Sequence, residues 1–173
     1  PVLVAPGTGA RRTAKGFGDL TLGAAYTFAQ RGTGIEVELS GRIKLDTATR
    51  SSSLSSGEKD YALGAQITKP IGRLAPFVSA TYRFLGDTAE YRLNDGVAAS
   101  AGTSLMMSSQ SYLLASYHYS QGATDLVSDA HELFAGAVTQ IPDTRLRLTG
   151  FATAGLSRGA AAASGGLALS HDF

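Results

Sequence analysis

Residues Gly34 to Leu45, GIEVELSGRIKL, separate into two chemically distinct sets when every second residue is taken. Ile35, Val37, Leu39, Gly41, Ile43 and Leu45 form one set, and Glu36, Glu38, Ser40, Arg42 and Lys44 form the other. A repeat of two places these sets on opposite faces of a β-strand. One face is wholly apolar and the other almost wholly charged. A strand of a water-soluble sandwich could carry this pattern with its apolar side on a core. The length favours a different solution, because about a dozen residues is close to the ~9–11 that a tilted strand needs to cross a bilayer. The pattern predicts a membrane-spanning strand whose charged face lines an interior.

The rest of the chain repeats this unit. Pro1 to Ala5 reads as the end of a strand, and Pro6 to Lys15 as a polar loop. Phe17 to Phe28 alternates Leu20, Leu22, Ala24, Tyr26 and Phe28 against Asp19, Thr21, Gly23, Ala25 and Thr27. Lys59 to Ile71 sets Tyr61, Leu63, Ala65 and Ile67 against Asp60, Gln66 and Thr68. Leu74 to Leu85 sets Pro76, Val78, Ala80, Tyr82 and Phe84 against Phe77, Ser79, Thr81 and Arg83, with Pro76 tolerable because it falls early in its strand. Val97 to Leu105 is a weaker strand of small residues. Tyr112 to Ser120 opposes Leu113, Ala115, Tyr117 and Tyr119 to Leu114, Ser116, His118 and Ser120. Strands over Glu132 to Ile141, Arg145 to Ser157 and Ala161 to Phe173 complete the chain.

The connections add support of a separate kind. Short turns fall near Gly32, Gly72, Ser109 and Asp143, and longer loops near Thr8, Ser52 and Ala123. They alternate in the order expected of short periplasmic turns and longer extracellular loops. The fold class is therefore all-β: an antiparallel up-and-down transmembrane β-barrel forming one domain over residues 1–173. About ten strands are visible, the first a stub, and an even count of about ten to twelve is expected in the complete protein, with part of the barrel upstream of Pro1. An outer-membrane protein needs a signal peptide and none is visible, so a mature or incomplete chain is expected. Aromatic girdles are expected from Phe28, Phe77, Tyr112 and Phe173 near the periplasmic ends, and from Tyr61, Tyr82, Phe84, Tyr117 and Tyr119 near the outer ends.

Composition narrows the partners. Charged residues are 17% of the chain and there are 21 glycines, which suits tightly packed strands facing lipid. A net charge of +1 without a clustered basic stripe gives no basis for nucleic-acid binding. Cysteine is absent, which excludes disulfides and thiolate metal sites. Gly96 to Ala123 is free of charge but dense in Ser, Gly, Thr and Gln, so it does not read as a membrane helix.

The charges set the candidate site. Lys or Arg facing lipid at mid-membrane costs about 2–4 kcal/mol, so Arg42, Lys44, Arg83, Arg145 and Arg147 must all face inward in a barrel. Glu36 and Glu38, with Arg145 and Arg147, are expected in the periplasmic half of the lumen. Arg42, Lys44 and Arg83 are expected nearer the outside, level with Asp60 and Glu132. Opposite charges across a pore set a field that selects solutes; the alternative is that they pair and fill the interior. Eight strands leave a filled barrel, so ten or twelve allow a narrow pore at most. His118, His131 and His171 are the only histidines. Ser116 and Ser120 share a face with His118, but serine is too common here to mark a catalytic triad, and the histidines lack metal-ligand spacing. No catalytic residue, metal or cofactor is expected.

Four runs carry a family resemblance: GFGDLTLGAAYTF (Gly16 to Phe28), LSGRIKLDT (Leu39 to Thr47), SGEKDYALGAQITKPIG (Ser56 to Gly72) and YRFLGD (Tyr82 to Asp87). In this order they resemble Gram-negative outer-membrane transporter-like barrels, including proteins linked to phenol-degradation pathways. Asp46 stands where that family often has Pro. The resemblance implies a bacterial outer-membrane location and a passive channel for small solutes, including aromatic or hydrophobic ones. It also implies that Phe173 is the C-terminal signal read by the outer-membrane assembly machinery. Outer-membrane lipid, that machinery and a small-molecule solute are the implied partners. The alternative is a non-conducting structural barrel that holds an envelope protein partner, with the Ala- and Gly-rich hairpin Ser157 to Gly166 as a flat contact surface. A secreted sandwich, by contrast, would stay soluble without detergent.

Overall fold

The computed structural model describes residues 2–4, 11–13, 17–29, 32–48, 58–86, 93–142 and 144–171. Their elements are β1 (Val2–Val4), β2 (Arg11–Thr13), β3 (Leu20–Ala29), β4 (Glu36–Leu45), β5 (Asp60–Thr68), β6 (Leu74–Phe84), β7 (Gly96–Ser108), β8 (Ser111–Ser120), β9 (Ala130–Gln140), β10 (Leu146–Gly155) and β11 (Ala163–His171). Strands β3 to β11 form one nine-stranded sheet in sequential order, every ladder antiparallel. The all-β, up-and-down arrangement expected from the alternation is present, and no helix among the described residues is long and apolar enough to cross a membrane.

One expectation is corrected. The sheet has nine strands and is not closed: among the described residues β3 and β11 are each paired on one side only. The N-terminal stub does not join it. Val2–Val4 pairs instead with Arg11–Thr13, a short strand within the stretch expected to be a loop. Elsewhere the strands match the expected ones to within a few residues. The weak strand of small residues is the longest, running from Gly96 to Ser108, with a register shift between Met106 and Ser108.

The connections at one rim are residues 30–35, 69–73, 109–110 and 141–145, and those at the other are 46–59, 85–95, 121–129 and 156–162. The first set is the shorter, as expected. The tightest turns follow from local chemistry. At Gly72, φ is 62°, a conformation that L side chains rarely adopt, and Ile71 and Leu74 exchange both backbone hydrogen bonds across the turn at 2.7 and 3.1 Å.

Exposure runs opposite to that of a water-soluble protein. In β5 and β6 exposed and half-buried residues strictly alternate: every polar side chain is half-buried, and the apolar ones are exposed except Ala62, Ala75 and Phe77. Leu63 is 61% exposed, Val78 55% and Tyr26 66%, and among the described residues no hydrophobic side chain is buried. The chain exposes 12360 Å², where a compact monomer of 17.8 kDa exposes about 8,000 Å². There is no hydrophobic core to hold these strands; the ladders themselves are the structure.

The register also shears. One row of cross-strand partners runs Ala29, Glu36, Thr68, Phe77, Gly102, Ser116, Phe134, Thr153 and Ser164. It begins at the last residue of β3, on the short-turn rim, and ends near the first residue of β11, on the long-loop rim. Across nine strands the sheet slips by about one strand length, the tilt and stagger that closing a barrel demands.

Candidate functional site

The polar face is the site, and the register assembles it from both ends of the chain. On β4 it carries Glu36, Glu38, Ser40, Arg42 and Lys44, opposite Thr68, Gln66, Gly64, Ala62 and Asp60 of β5. Thr81 and Arg83 of β6 continue it. Lys44 Nζ lies 2.6 Å from Asp60 Oδ2 and 3.7 Å from Asp19 Oδ2. The other Asp60 oxygen accepts the Gly86 N–H at 3.1 Å. Arg83 donates from Nη2 to the Gln121 carbonyl at 2.8 Å, while its Nε is buried with no hydrogen-bond partner. Thr27 donates to Glu38 at 3.4 Å. Between these groups, Glu38, Ser40, Arg42, Thr81 and Arg83 line a concavity of about 530 Å³.

From β7 onward the same face changes character. Ser79 and Ser100 share a hydrogen bond at 2.6 Å, and beyond them lie aromatic rings. Phe134 and Phe151 stack with centroids 5.9 Å apart and planes 13° from parallel. His118 sits edge-on to Phe134 at 6.1 Å and shares a 2.8 Å hydrogen bond between its Nε2 and Ser116 Oγ. Ser116, 7% exposed, is the buried polar residue of the described chain. It is packed tightly: a Cβ built on Gly102 opposite it would lie 2.6 Å from Ser116 Cβ and 2.9 Å from Phe77 Cζ. Only a glycine fits beneath that ring. Glu132 is the cross-strand partner of His118.

The expected site residues thus divide. Glu36, Glu38, Arg42, Lys44, Asp60 and Arg83 share the polar face of β4 to β6. Glu132 and Arg147 lie on the same face of β9 and β10. Arg145 does not: it is exposed in the bend before β10, because the strand begins only at Leu146. Phe173 and Asp143 lie outside the described residues. Among the expected girdle residues Tyr112 is corrected, and Phe77 keeps the side that its alternation with Ser79, Thr81 and Arg83 gives it. Phe77 and Tyr112 sit on the polar face, opposite Gly102 and Val138. Tyr61, Tyr82, Phe84, Tyr117 and Tyr119 are on the apolar face as expected.

Phe134 was missed. In β9 both alternate sets are largely apolar, Glu132, Phe134, Gly136 and Val138 against His131, Leu133, Ala135 and Ala137. A period of two cannot orient such a strand; pairing with Ser116 does.

On the long-loop rim, carboxylates hold the connections. Asp129 accepts the Gly122 N–H at 2.9 Å and the Tyr119 hydroxyl at 2.8 Å. These donors, Gly122 first, hold its carboxyl below the usual carboxylate range. The Asp129 carbonyl accepts the Ser157 hydroxyl at 2.7 Å, and Ser157 Oγ accepts the His131 N–H at 3.1 Å. His131 also shares a short hydrogen bond with the Tyr117 hydroxyl. Among the described residues no three His, Asp or Glu side chains are grouped to hold a metal ion. No protein-family model and no curated protein matches this chain.

Proposed function

We propose that the chain is the wall of a bacterial outer-membrane barrel that passes small solutes by passive diffusion along its polar face. The observation that carries this reading is the inverted exposure of β5 and β6, where Tyr61, Leu63, Ile67, Val78, Tyr82 and Phe84 are exposed and Asp60, Gln66, Thr68, Ser79, Thr81 and Arg83 are half-buried. In water such a surface aggregates; in a bilayer it is the surface that lipid covers. The sheared register and the short and long rims support the same reading. The resemblance in the Gly16 to Asp87 runs agrees with it in location and activity. The exported chain would take lipid along its apolar face, meet the assembly machinery through its last strand, and offer the Glu38–Arg42–Arg83 concavity to the solute.

Leu63→Arg tests the membrane half of the proposal. On an exposed site in water the change alters stability by no more than about 0.5 kcal/mol. Against lipid at mid-membrane it costs about 2–4 kcal/mol. Urea unfolding from lipid vesicles reads the difference, and a negligible loss there would sink the membrane placement. Single-channel conductance tests the other half. Steady current in the wild type, with Arg42→Glu shifting ion preference toward cations, is the expected result. A folded, vesicle-inserted protein without current would favour the structural barrel, in which the Lys44–Asp60 pair and the Arg83 contact fill the interior.

A further inference from the structure

We propose that the concavity over β4 to β6 is a binding site for a small organic monocarboxylate, clamped between Arg42 and Arg83. The inference rests on the reading of the polar face as a solute path and names the class of solute that the path selects.

The ladders set the site out as a grid. Arg42, Ala62 and Arg83 are cross-strand partners in one row, and Ser40, Gly64 and Thr81 form the next row on the same face. Neighbouring strands lie about 4.7–4.9 Å apart, so the two arginine backbones stand roughly 9–10 Å from each other with only the Ala62 methyl between them. The corners of the grid carry hydrogen-bond donors, and its centre, Ala62 and Gly64, carries almost no side chain. A Cβ built on Gly64 would lie 2.8 Å from Ser40 Oγ and 2.9 Å from Thr81 Oγ1, so both hydroxyls lean over that glycine. All six residues line the same concavity of about 530 Å³.

These donors are not used within the chain. Among the described residues Arg42 makes no hydrogen bond or ion pair, and neither the Ser40 nor the Thr81 hydroxyl has a hydrogen-bond partner. Arg83 gives one N–H to the Gln121 carbonyl, which anchors its guanidinium, and its Nε is buried without a partner. A buried donor left unpaired is unfavourable, and more so on a charged group. The nearby carboxylates do not relieve it. Asp60 is taken by Lys44 at 2.6 Å, and Glu38 lies beyond Ser40 on β4, beside Thr27.

Charge and wall chemistry select the occupant. The charged residues lining the concavity are Arg42, Arg83 and Glu38, two cations and one carboxylate, which leave a net charge of +1. A monoanion balances that charge, whereas a dianion exceeds it and is repelled by Glu38. Planar guanidinium forks match the two oxygens of a carboxylate, and the hydroxyls over Gly64 add neutral donors for the same group. The rest of the wall includes Ala25, Ala62 and Ala98, which can cover an apolar body and offer it no polar partner. An inorganic anion would use the donors and leave that wall empty; an organic monocarboxylate uses both.

The test is equilibrium dialysis of the full-length protein folded in detergent, with benzoate as the probe and benzamide, its neutral isostere, and inorganic phosphate as comparisons at fixed ionic strength. Benzoate should bind about tenfold or more tighter than either. Arg42→Gln and, separately, Arg83→Gln should each weaken benzoate by about tenfold or more and leave benzamide unchanged. Arg42→Lys keeps the charge but not the fork and should also weaken it. Gly64→Ala should fold, because its methyl meets closely only hydroxyls that can rotate, and should weaken benzoate by turning both aside. Arg73→Gln removes an exposed positive charge from the short-turn rim and should change nothing. Circular dichroism confirms folding, and Arg42→Lys and Gly64→Ala decide the matter if the glutamine variants do not fold. Benzoate bound no tighter than benzamide, phosphate bound tighter than benzoate, or benzoate bound by the site variants as by the wild type would each overturn the proposal. An equal loss in Arg73→Gln would overturn it too, since overall charge and not a clamp would then attract the anion. Current across a bilayer in chloride is scored separately: a protein that binds benzoate as expected but carries no current refutes the solute path and upholds the site, and one that conducts without preferring benzoate refutes the site.

Discussion

The polar face is built in two chemistries, and they hold the sheet together differently. Over β3 to β6 it is charged, and its groups are satisfied at a distance, Lys44 by Asp60 and Asp19 and Arg83 by a carbonyl across the rim. Over β7 to β11 it is aromatic, and its groups are satisfied by contact, a ring over a glycine or a ring on a ring. Long charged side chains leave room between strands. Rings pressed onto glycines do not. The first region keeps a charged concavity of about 530 Å³ and the second an apolar one of the same volume, with alanines as half its lining; at the glycine contacts of the second a change of one methyl is felt.

That contrast is broken most directly at glycine. Gly102→Val places branches where Ala115 O and Ser116 Cβ lie 2.5 and 2.6 Å from the new Cβ. Neither is the tip of a flexible side chain, so overpacking should cost about 1–3 kcal/mol or more. Gly23→Ala, on the same face beside Arg42, meets only Gly41 O at 3.4 Å and Arg42 Cγ at 3.8 Å, and should be neutral or stabilise by about 0.4–1 kcal/mol. Urea titration of both variants in the same lipid measures the difference. Equal losses would mean that the two regions are packed alike.

A smaller effect sharpens the comparison at the rings. Phe134→Leu keeps most of the apolar volume but loses the stack on Phe151 and the edge contact with His118. The loss expected is about 0.5–1.5 kcal/mol. Glu38→Gln in the charged region, whose hydrogen bond to Thr27 is long at 3.4 Å, should cost less while altering ion selectivity. If Glu38→Gln is the more damaging to stability, the charged region is held by local electrostatics rather than by its ladders.

The same contrast explains what was legible in the sequence. Strands β4, β5 and β6 put charges on one face and aliphatics on the other, so alternation alone oriented them and brought Glu38, Arg42, Lys44, Asp60 and Arg83 together. In β9 the alternation separates apolar residues from apolar residues, and Phe134 took its face from Ser116 across the ladder, which only pairing reveals. Phe77 and Tyr112 were read as girdle residues because they lie near strand ends. Position along a strand does not determine the face: Phe77 lies between Thr68 and Gly102, and Tyr112 between Met106 and Val138, on the side that carries Ser116 and His118. Arg145 was lost by one residue, since the bend holds it outside β10. The N-terminal stub failed for another reason: three residues carry too little pattern to choose between the sheet and a neighbouring short strand.

The smallest predicted effect compares the charged and aromatic regions where they meet the long-loop rim, through their carboxylates. Asp60 is held by a cation, Lys44, and by the Gly86 N–H; Asp129 is held by neutral donors, the Gly122 N–H and the Tyr119 hydroxyl. Those donors favour the ionised form, so the folded pKa of Asp129 is depressed below its unfolded value of about 3.9. The stability this group contributes is present above that value and is lost as pH falls through the lower folded pKa. Asp129→Asn removes the titration, so the variant should be the less stable near neutral pH and the gap should narrow on acidification below about pH 4. Added salt should change that gap little, because the hydrogen bonds from Gly122 and Tyr119 outweigh the coulombic contribution of His131, while it weakens Lys44–Asp60. Unfolding midpoints measured from pH 3 to 6 at two salt concentrations decide the matter. A constant gap across that range would show that the Asp129 contacts do not depend on its charge, and a strong salt effect on the gap would show that the rim of the aromatic region is held as the charged one is.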